Sequence, residues 1–513
     1  MGETTSAIRR IGTHLNDEHR KLFSRLYLIK DDTFNKSATL DLESSLIEYI
    51  SGDGTYTLQN NNRGLRNHNY YDRERYWHLF EEIWDELRSH RIVTNSIRDI
   101  RNSDRFKYSP YKVLTDDQAE IVEELEHVLR EEDESVSIVE GEPGSGKTIL
   151  AIYLVKYLLS GERTANMRVA IVLPQTSLRE TVRQIFRNVA GLKMSMVLGP
   201  TDVANTEEHF DVIIVDEAHR LNRRRNLSSY ATFDTASRRL GLNPVTCDQL
   251  DWILQKARHR ILLYDGNQSV RPSDVDPSRF VALADQARTF VLRSQVRVLA
   301  GDRYISYIDD VLRQRAPEPH AFPGYEFRLY ARLDTMVSDI QRLDAMHGLC
   351  RLVAGYAWDW KSRGNSKLFD IEIGNCRLRW NATTKNWINS ASASKEVGCI
   401  HTVQGYDLNY VGVIIGPEIS LQGGRLRYHP DRYRDRYGKH ASLTPTEMVE
   451  YILNIYKTLM TRGIRGTFVY SCDPGLSAYL SAYIPAHDTA MEAAAEPGPD
   501  FGPGRSPDDT GAR

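Results

Sequence analysis

Cysteine is scarce and scattered in this chain, and the gaps in its composition narrow its chemistry before any motif is read. The five cysteines, Cys247, Cys350, Cys376, Cys399 and Cys472, include no C-x-x-C pair, which removes the usual zinc and dithiol spacings. An odd, dispersed set reads as reduced thiols, so a cytoplasmic setting is expected. No apolar run nears the ~18 residues of a membrane span, and no charged-then-apolar leader opens the chain. No membrane partner is therefore expected, and no internal repeat is visible. Excess charge is missing too. A formal net charge of -3 gives no global attraction to phosphate, so a nucleic-acid partner would have to be met by a local basic groove.

What is present is bulk and alternation. At ~100–200 residues per domain, a chain of 513 residues suggests about three or four domains. Residues 1 to about 108 are rich in Asn, Tyr and Arg, with helical patterns and little continuous strand. After the acidic run Glu131-Glu132-Asp133-Glu134 come short apolar runs spaced by helical segments: Val136–Val139, Val169–Leu173, Val212–Val215, Ile261–Tyr264 and Phe290–Leu292. A second series follows at Phe327–Tyr330, Val411–Ile415 and Thr467–Tyr470. Such spacing predicts parallel sheets flanked by helices, an α/β fold. The end, rich in Ala, Pro, Gly and Asp, reads as a disordered tail. The expected divisions are 1–108, 109–290, 291–486 and a tail at 487–513.

The strongest motif is Gly141-Glu-Pro-Gly144-Ser-Gly146-Lys147-Thr148, which fits G-x-x-x-x-G-K-[ST] between a predicted strand and a helical run. Glycines there let backbone N–H groups converge on phosphate oxygens at a helix N-terminus. Lys147 would reach the β- and γ-phosphates of ATP, and the Thr148 hydroxyl would ligand Mg²⁺. The second motif is Asp211-Val-Ile-Ile-Val-Asp216-Glu217-Ala-His219, an apolar run ending in two acids at the carboxyl end of a buried strand. Asp216 is expected to hold the hydrated Mg²⁺ and Glu217 to orient and deprotonate the attacking water.

Other segments extend the pattern. Ile261-Leu-Leu-Tyr-Asp265-Gly-Asn-Gln268 resembles a superfamily 1 helicase sensor motif, with Gln268 against the γ-phosphate; an Asp-Gly-Asn turn would read the same way. Ser294-Gln295-Val-Arg297 resembles motif IV. His401-Thr402-Val-Gln404-Gly405-Tyr-Asp407 resembles motif V, and Tyr456-Lys-Thr-Leu-Met-Thr461-Arg462-Gly resembles motif VI. Arg297 and Arg462 would then serve as arginine fingers. Gln118 fits either an adenine-reading glutamine or one half of a capping box with Thr115. Pro174-Gln-Thr-Ser-Leu178-Arg179 resembles motif Ia or caps the next helix. Arg223-Arg224-Arg225 is either a phosphate contact or a solvated run.

As an ordered set, residues from about 114 to 480 resemble the Schlafen-like DNA/RNA helicase-domain family, a branch of superfamily 1. The residues that agree best are Leu292-Arg-Ser-Gln-Val-Arg297, Trp358-Asp-Trp360 and Gly398-Cys-Ile-His-Thr-Val-Gln-Gly405. The resemblance implies two RecA-like domains with ATP and Mg²⁺ at their interface and a single-stranded DNA or RNA track as partner. Gln118, Gly141, Gly144, Gly146, Lys147, Thr148, Asp216, Gln404 and Gly405 would line the nucleotide, with Glu217, Gln268, Arg297 and Arg462 acting on it.

Upstream, Met1-Gly2-Glu-Thr-Thr-Ser-Ala-Ile-Arg-Arg10-Ile-Gly-Thr-His14 resembles the second half of a GIY-YIG nuclease. Arg10 and His14 would face the scissile phosphate, Glu43 would bind metal, and Asn60 would be the later asparagine. Glu43 also interrupts an apolar helical stripe formed by Leu40, Leu46 and Ile47, and a carboxylate there needs a partner. Both signature tyrosines and the first strand are absent, so a small α+β module incomplete at its start is expected, with a true start further upstream. The expected function is an ATP-driven helicase-type motor fused to this module. The rival is a nucleotide-operated switch that binds partners without unwinding.

Overall fold

Asn35 accepts the amide of Ala38 at 2.9 Å and thereby starts helix α1 (Lys36–Asp53), a standard N-cap. The computed structural model describes residues 25–60, 73–266, 271–294, 297–383, 387–403, 406–435, 438 and 443–487. Helices α2 (Arg73–Ser89), α3 (Ile97–Asn102) and α4 (Asp104–Lys107) follow α1. Tyr49, Phe80, Trp84, Val93 and Ile100 close a small core between them. Buried Asp53 fastens the turn before α3, accepting the amides of Thr94 at 3.0 Å and Asn95 at 2.7 Å. Where an α+β module was expected, the described part of residues 25–108 is helical, with a single isolated bridge from Leu58 to Val189. The physical reason lies in the spacing: Leu42 and Tyr49, seven residues apart, put their bulk on one helical face into this core, while Ile47 on another face packs into the core of the first sheet.

These helices touch both of the sheets that follow. Lys107 Nζ donates to the Asp407 carbonyl at 3.0 Å, and Asn102 Nδ2 donates to the His347 carbonyl at 2.9 Å. On the other side, the Ser51 and Ser109 hydroxyls meet at 3.2 Å beside the bridge at Leu58. Helix α5 (Asp116–Glu131) then leads into the first sheet.

That sheet contains β1 (Ser135–Gly141), β2 (Val169–Val172), β3 (Val197–Leu198), β4 (Phe210–Val215), β5 (Ala257–Tyr264) and β6 (Arg288–Leu292). Its order is β3-β2-β4-β5-β1-β6, with every pairing parallel. Helices α6 (Lys147–Leu159) and α7 (Thr176–Arg187) connect its early strands. Every residue of β2 is buried, as expected for a strand covered on both faces. The second sheet holds β7 (Glu326–Leu329), β8 (Cys350–Ala354), β9 (Ile371–Ile373), β10 (Cys376–Trp380), β11 (Glu396–Cys399) and β12 (Leu408–Ile415), while β13 (Ile419–Gln422) and β14 (Arg425–Tyr428) form a separate hairpin. Strand β15 (Gly463–Ser471) completes it in the order β7-β15-β12-β8-β11-β10-β9. Only the β9–β10 pair is antiparallel among the described strands of this sheet.

Two expected boundaries move. Strand β6 runs across the division expected at 290 and pairs with β1 from Arg288 to Leu292, because β1 would otherwise present an open edge. The last lobe also extends to His487, whose Nε2 stands 3.0 Å from Asp339 Oδ2 and whose ring packs on Tyr330. The expected tail beyond it lies outside the described residues. Among the described residues, no helix is long and apolar enough to cross a membrane.

Asp117 locks β6 to α5. Its carboxylate accepts the amides of Arg293 and Ser294, each at 2.9 Å, and the Ser294 hydroxyl at 2.5 Å. Burial alone would raise its pKa, but these bonds and that of Thr115 hold it down at about 2. With the folded pKa below the unfolded value, this stabilisation is present above about pH 4 and is lost as pH falls toward about 2. Asp117→Ala should cost about 1–2 kcal/mol at neutral pH. Urea midpoints of the two proteins should converge as the pH falls through that window; a constant difference across it would assign the loss to packing instead.

Candidate nucleotide-hydrolysis site

The phosphate loop forms where β1 meets α6. Gly144 and Gly146 take φ values of 94° and 83°, a region that side chains enter only at a cost. A Cβ on Gly141 would stand 2.4 Å from Ser145 Oγ and 3.1 Å from Leu292 Cβ, so the strand end must be bare. Lys147 is buried and its Nζ donates to the carbonyls of Gly141 at 2.5 Å and Glu142 at 3.0 Å. The same ammonium lies 3.6 Å from Asp265 Oδ2, at the end of β5. Because β5 runs between β1 and β4, Asp265 stands between the loop and the acid pair.

That pair sits at the carboxyl end of β4. Asp216 is fully buried, and its Oδ2 accepts the Thr148 hydroxyl at 2.7 Å. Its Oδ1 has no hydrogen-bond partner among the described residues. A buried carboxylate oxygen left open beside a hydroxyl is the donor set a hard divalent cation takes, so Thr148 and Asp216 fit Mg²⁺. Burial, and then the charge of Glu217, push the Asp216 pKa up. Glu217 goes the other way: burial opposes it, but His219, Arg220 and Lys147 carry it below the usual carboxylate range. Its backbone is left-handed, with φ 53°, a strained conformation of the kind that persists where the surroundings enforce it. His219 Nε2, 2.8 Å from Glu217 Oε2, is one such constraint.

The second lobe supplies positive charge. Arg462 is buried, its Nε donating to the Thr458 carbonyl at 3.1 Å. Burial and the neighbouring Arg297 push its pKa down, while Asp407 and Glu217 oppose that shift, so Arg462 senses the acid of the first lobe. Arg297 Nε donates to Asp407 Oδ1. Asp407 therefore faces Arg297, Lys107 and Arg462 together, and although burial opposes it, they hold its pKa low. The two predicted arginine fingers do converge on one spot.

Other predicted residues fall elsewhere. Gln118 is buried with both ends of its amide engaged: Oε1 accepts the Thr115 amide at 3.2 Å and Nε2 donates to the Ser145 carbonyl at 2.9 Å. It braces the phosphate loop through half of a capping box. Arg223 is bound to Asp276 at 2.7 Å and Arg224 to Asp234 at 2.7 Å and 3.1 Å, so those two arginines of the basic run are held locally. Arg179 Nη1 donates to the Leu173 carbonyl at 3.1 Å. Glu43 is half-buried on α1, and among the described residues no three His, Cys, Asp or Glu side chains gather as a metal site. Asn60 accepts the Tyr111 hydroxyl through its carbonyl at 3.2 Å. Arg10, His14, Gln268, Gln404 and Gly405 lie outside the described residues. Sequence reasoning gave no role to Lys107, His219, Asp265 or Asp407. The last three are acids or bases inside quoted motifs, a signal that was available; Lys107 had none.

A phosphate loop, an acid pair two strands away and arginines delivered from a second parallel sheet define a two-lobed P-loop protein of the helicase type. The chain belongs to the Schlafen group 3, DNA/RNA helicase domain family, whose model matches residues 134–473. It is similar to the uncharacterized protein YPL245W of Saccharomyces cerevisiae, with 28% identity over 302 residues, covering 52% of this chain and 63% of that protein. Among solved structures it is similar to the Pif1 helicase from Bacteroides in complex with ADP-AlF3 and ssDNA, at 10% identity and a TM-score of 0.30, covering 75% of this chain and 97% of that one. It is also similar to the Arterivirus nonstructural protein 10 helicase with DNA, at 17% identity and a TM-score of 0.31, covering 67% and 63%. Superposition scores this low leave the fold to be read from the strand order itself.

Removing the shared carboxylate tests the cluster directly. Asp407→Ala should destabilise the protein by about 2–3 kcal/mol, the cost of leaving buried Arg462 and half-buried Arg297 and Lys107 without their counter-charge. Chemical denaturation would show it; a loss below about 1 kcal/mol would mean that water already screens these charges.

Proposed function

We propose that this chain hydrolyses ATP in the cleft between its two sheets and uses that hydrolysis to move along, or remodel, single-stranded DNA or RNA. The observation that carries the proposal is the phosphate loop and acid pair of the first lobe together with Arg462 of the second, which is grouped with Arg297 at Asp407 and feels the charge of Glu217. A site that only binds nucleotide needs the phosphate loop; a site that hydrolyses it gains from cations placed where charge develops in the transition state.

In this reading the loop amides and Lys147 hold the β- and γ-phosphates, with Lys147 exchanging its carbonyl partners for phosphate oxygens. Thr148 and Asp216 would hold Mg²⁺, which would supply neutralisation of the charge on the transferring phosphates. Glu217, kept ionised and aimed by His219, accepts a proton from the attacking water. Arg297 and Arg462 then stabilise the departing charge. Gln118 acts by bracing the loop. Residues 109–292 and 293–487 are the two lobes of this proposal. Nuclease ancestry of residues 1–108, with Arg10, His14, Glu43 and Asn60 as its site, is a separate proposal that rests on spacing alone.

ATP turnover measured with and without single-stranded DNA or RNA tests the motor reading, since a motor needs its track. Turnover indifferent to any nucleic acid would favour the nucleotide-operated switch. Lys147→Ala should lose nucleotide binding, whereas Glu217→Gln should bind and not turn over. Arg462→Ala should lower kcat by ~10³–10⁵ with ATP affinity nearly kept; a loss under about tenfold, some 1.4 kcal/mol, would make Arg462 a structural residue.

A further inference from the structure

A second connection crosses between the lobes away from the arginine cluster. Arg271, a few residues beyond the end of β5, places Nη2 at 2.7 Å from His401 Nδ1. His401, just after β11, places its other ring nitrogen, Nε2, 2.9 Å from Asp435 Oδ2. A guanidinium has donors only, so the Arg271 contact requires a lone pair on Nδ1. The ring proton must then sit on Nε2, where the Asp435 carboxylate accepts it. One neutral tautomer satisfies both partners, and they come from opposite lobes. Protonating Nδ1 would set a donor against a donor and break the bond between lobes.

This contact is electrically joined to the acid pair. Arg220, half-buried next to Glu217, acts on Arg271 as well as on Glu217, and both Arg271 and Arg220 act on His401. The row Glu217, Arg220, Arg271, His401 and Asp435 thus runs from the acid that meets water to the start of the second lobe's motif V segment.

We propose that His401, as its neutral Nε2–H tautomer, is a positioning residue that couples closure of the second lobe to the state of the hydrolytic site. The coupling rests on the reading of Glu217 given above; the tautomer does not. Among the described residues, the titratable or charged groups around the ring are Arg271 and Arg220 from the first lobe, Asp435 with Tyr433 behind it, Tyr356 after β8, and Cys399 at the end of β11. Burial, and then Arg271, lower the His401 pKa against the pull of Asp435. The latch therefore holds through the ordinary histidine range and opens as pH falls below it.

Two measurements on the full chain decide this. Imidazole ¹⁵N resonances, assigned to His401 by their loss in His401→Gln, should report the Nε2–H form at pH 7 and a pKa below the ordinary histidine value. Arg271→Ala should leave the Nε2–H held by Asp435 but raise the His401 pKa, since the guanidinium no longer opposes a proton on Nδ1. A proton on Nδ1 at pH 7 in the wild type would overturn the proposal, whether or not the chain turns over ATP. The second measurement is nucleic-acid-stimulated hydrolysis across pH. His401→Ala should lower kcat about tenfold, with KM for ATP changed less than about twofold. His401→Gln, whose amide can accept from Arg271 and donate to Asp435 without titrating, should restore at least half of kcat and extend activity to lower pH. Equal pH profiles for wild type and His401→Gln would overturn the coupling, as would full kcat in His401→Ala. Absence of ATP turnover in the wild type would instead defeat the proposed function, and the tautomer measurement would still stand.

Discussion

Cations crowded at a partly desolvated junction need a shared anion, and here that anion is Asp407. Lys107 comes from the helical module, Arg297 from the segment entering the second lobe, and Arg462 from the turn before β15. Arg462 is buried, and Arg297 and Lys107 are half-buried beside it, so removing the counter-charge would cost uncompensated desolvation, most of it at Arg462. Because their counter-charge is one carboxylate, the three chain segments are tied to each other, and Arg462 among them also feels the charge of Glu217 in the first lobe. The geometry of the proposed chemistry follows from that one electrostatic constraint. It also explains why the helices at residues 36–107 dock on both lobes: Lys107 is their contribution to the junction, and Asn102 and Asn409 extend the same contact through an amide pair at 3.0 Å.

The acid pair shows how adjacent residues receive opposite tasks. Asp216 and Glu217 are sequence neighbours, one buried and the other nearly so, yet one is surrounded by a hydroxyl and a lysine and the other by His219 and Arg220. The left-handed backbone at Glu217 turns the chain sharply after β4 and separates the carboxylates. A regular strand would have sent them to opposite faces; the turn instead keeps both at the sheet's carboxyl edge. Strain at one residue is the means by which two charges of like sign occupy one pole of the sheet.

What could be read from the sequence was what is local. The phosphate loop was legible because glycine, lysine and threonine spacing, the preceding strand and the following helix all fall within about 25 residues. The five strands expected in the first lobe were found, each within a few residues of its place, because each is a short apolar run. Strand order was not legible: nothing near β5 says that it lies between β1 and β4. The second lobe was only partly readable. Strand β8 carries Arg351 in the middle of its apolar run, and that charge hides it; the side chain is buried against Asp344 at 2.7 Å and the Ile388 carbonyl. The pairs Arg297–Asp407 and Arg271–His401 join positions 110 and 130 residues apart, and no pattern in a single sequence links such residues.

The same distinction between local and distant contacts bears on Gln118. Its spacing from Thr115 allowed two roles, an adenine contact or a helix cap, and these differ only in what the far end of the amide meets. That end meets Ser145, inside the phosphate loop. With Oε1 bound to Thr115 as well, the side chain joins the start of α5 to the loop, while Asp117, one residue earlier, joins α5 to the end of β6. Helix α5 is thus anchored at its first turn to both flanks of β1. A shift of the loop on filling with phosphate would be felt at Ser294, three residues before Arg297. The loop and the end of β6 are therefore linked through one helical turn and two hydrogen-bonded side chains, Gln118 and Asp117.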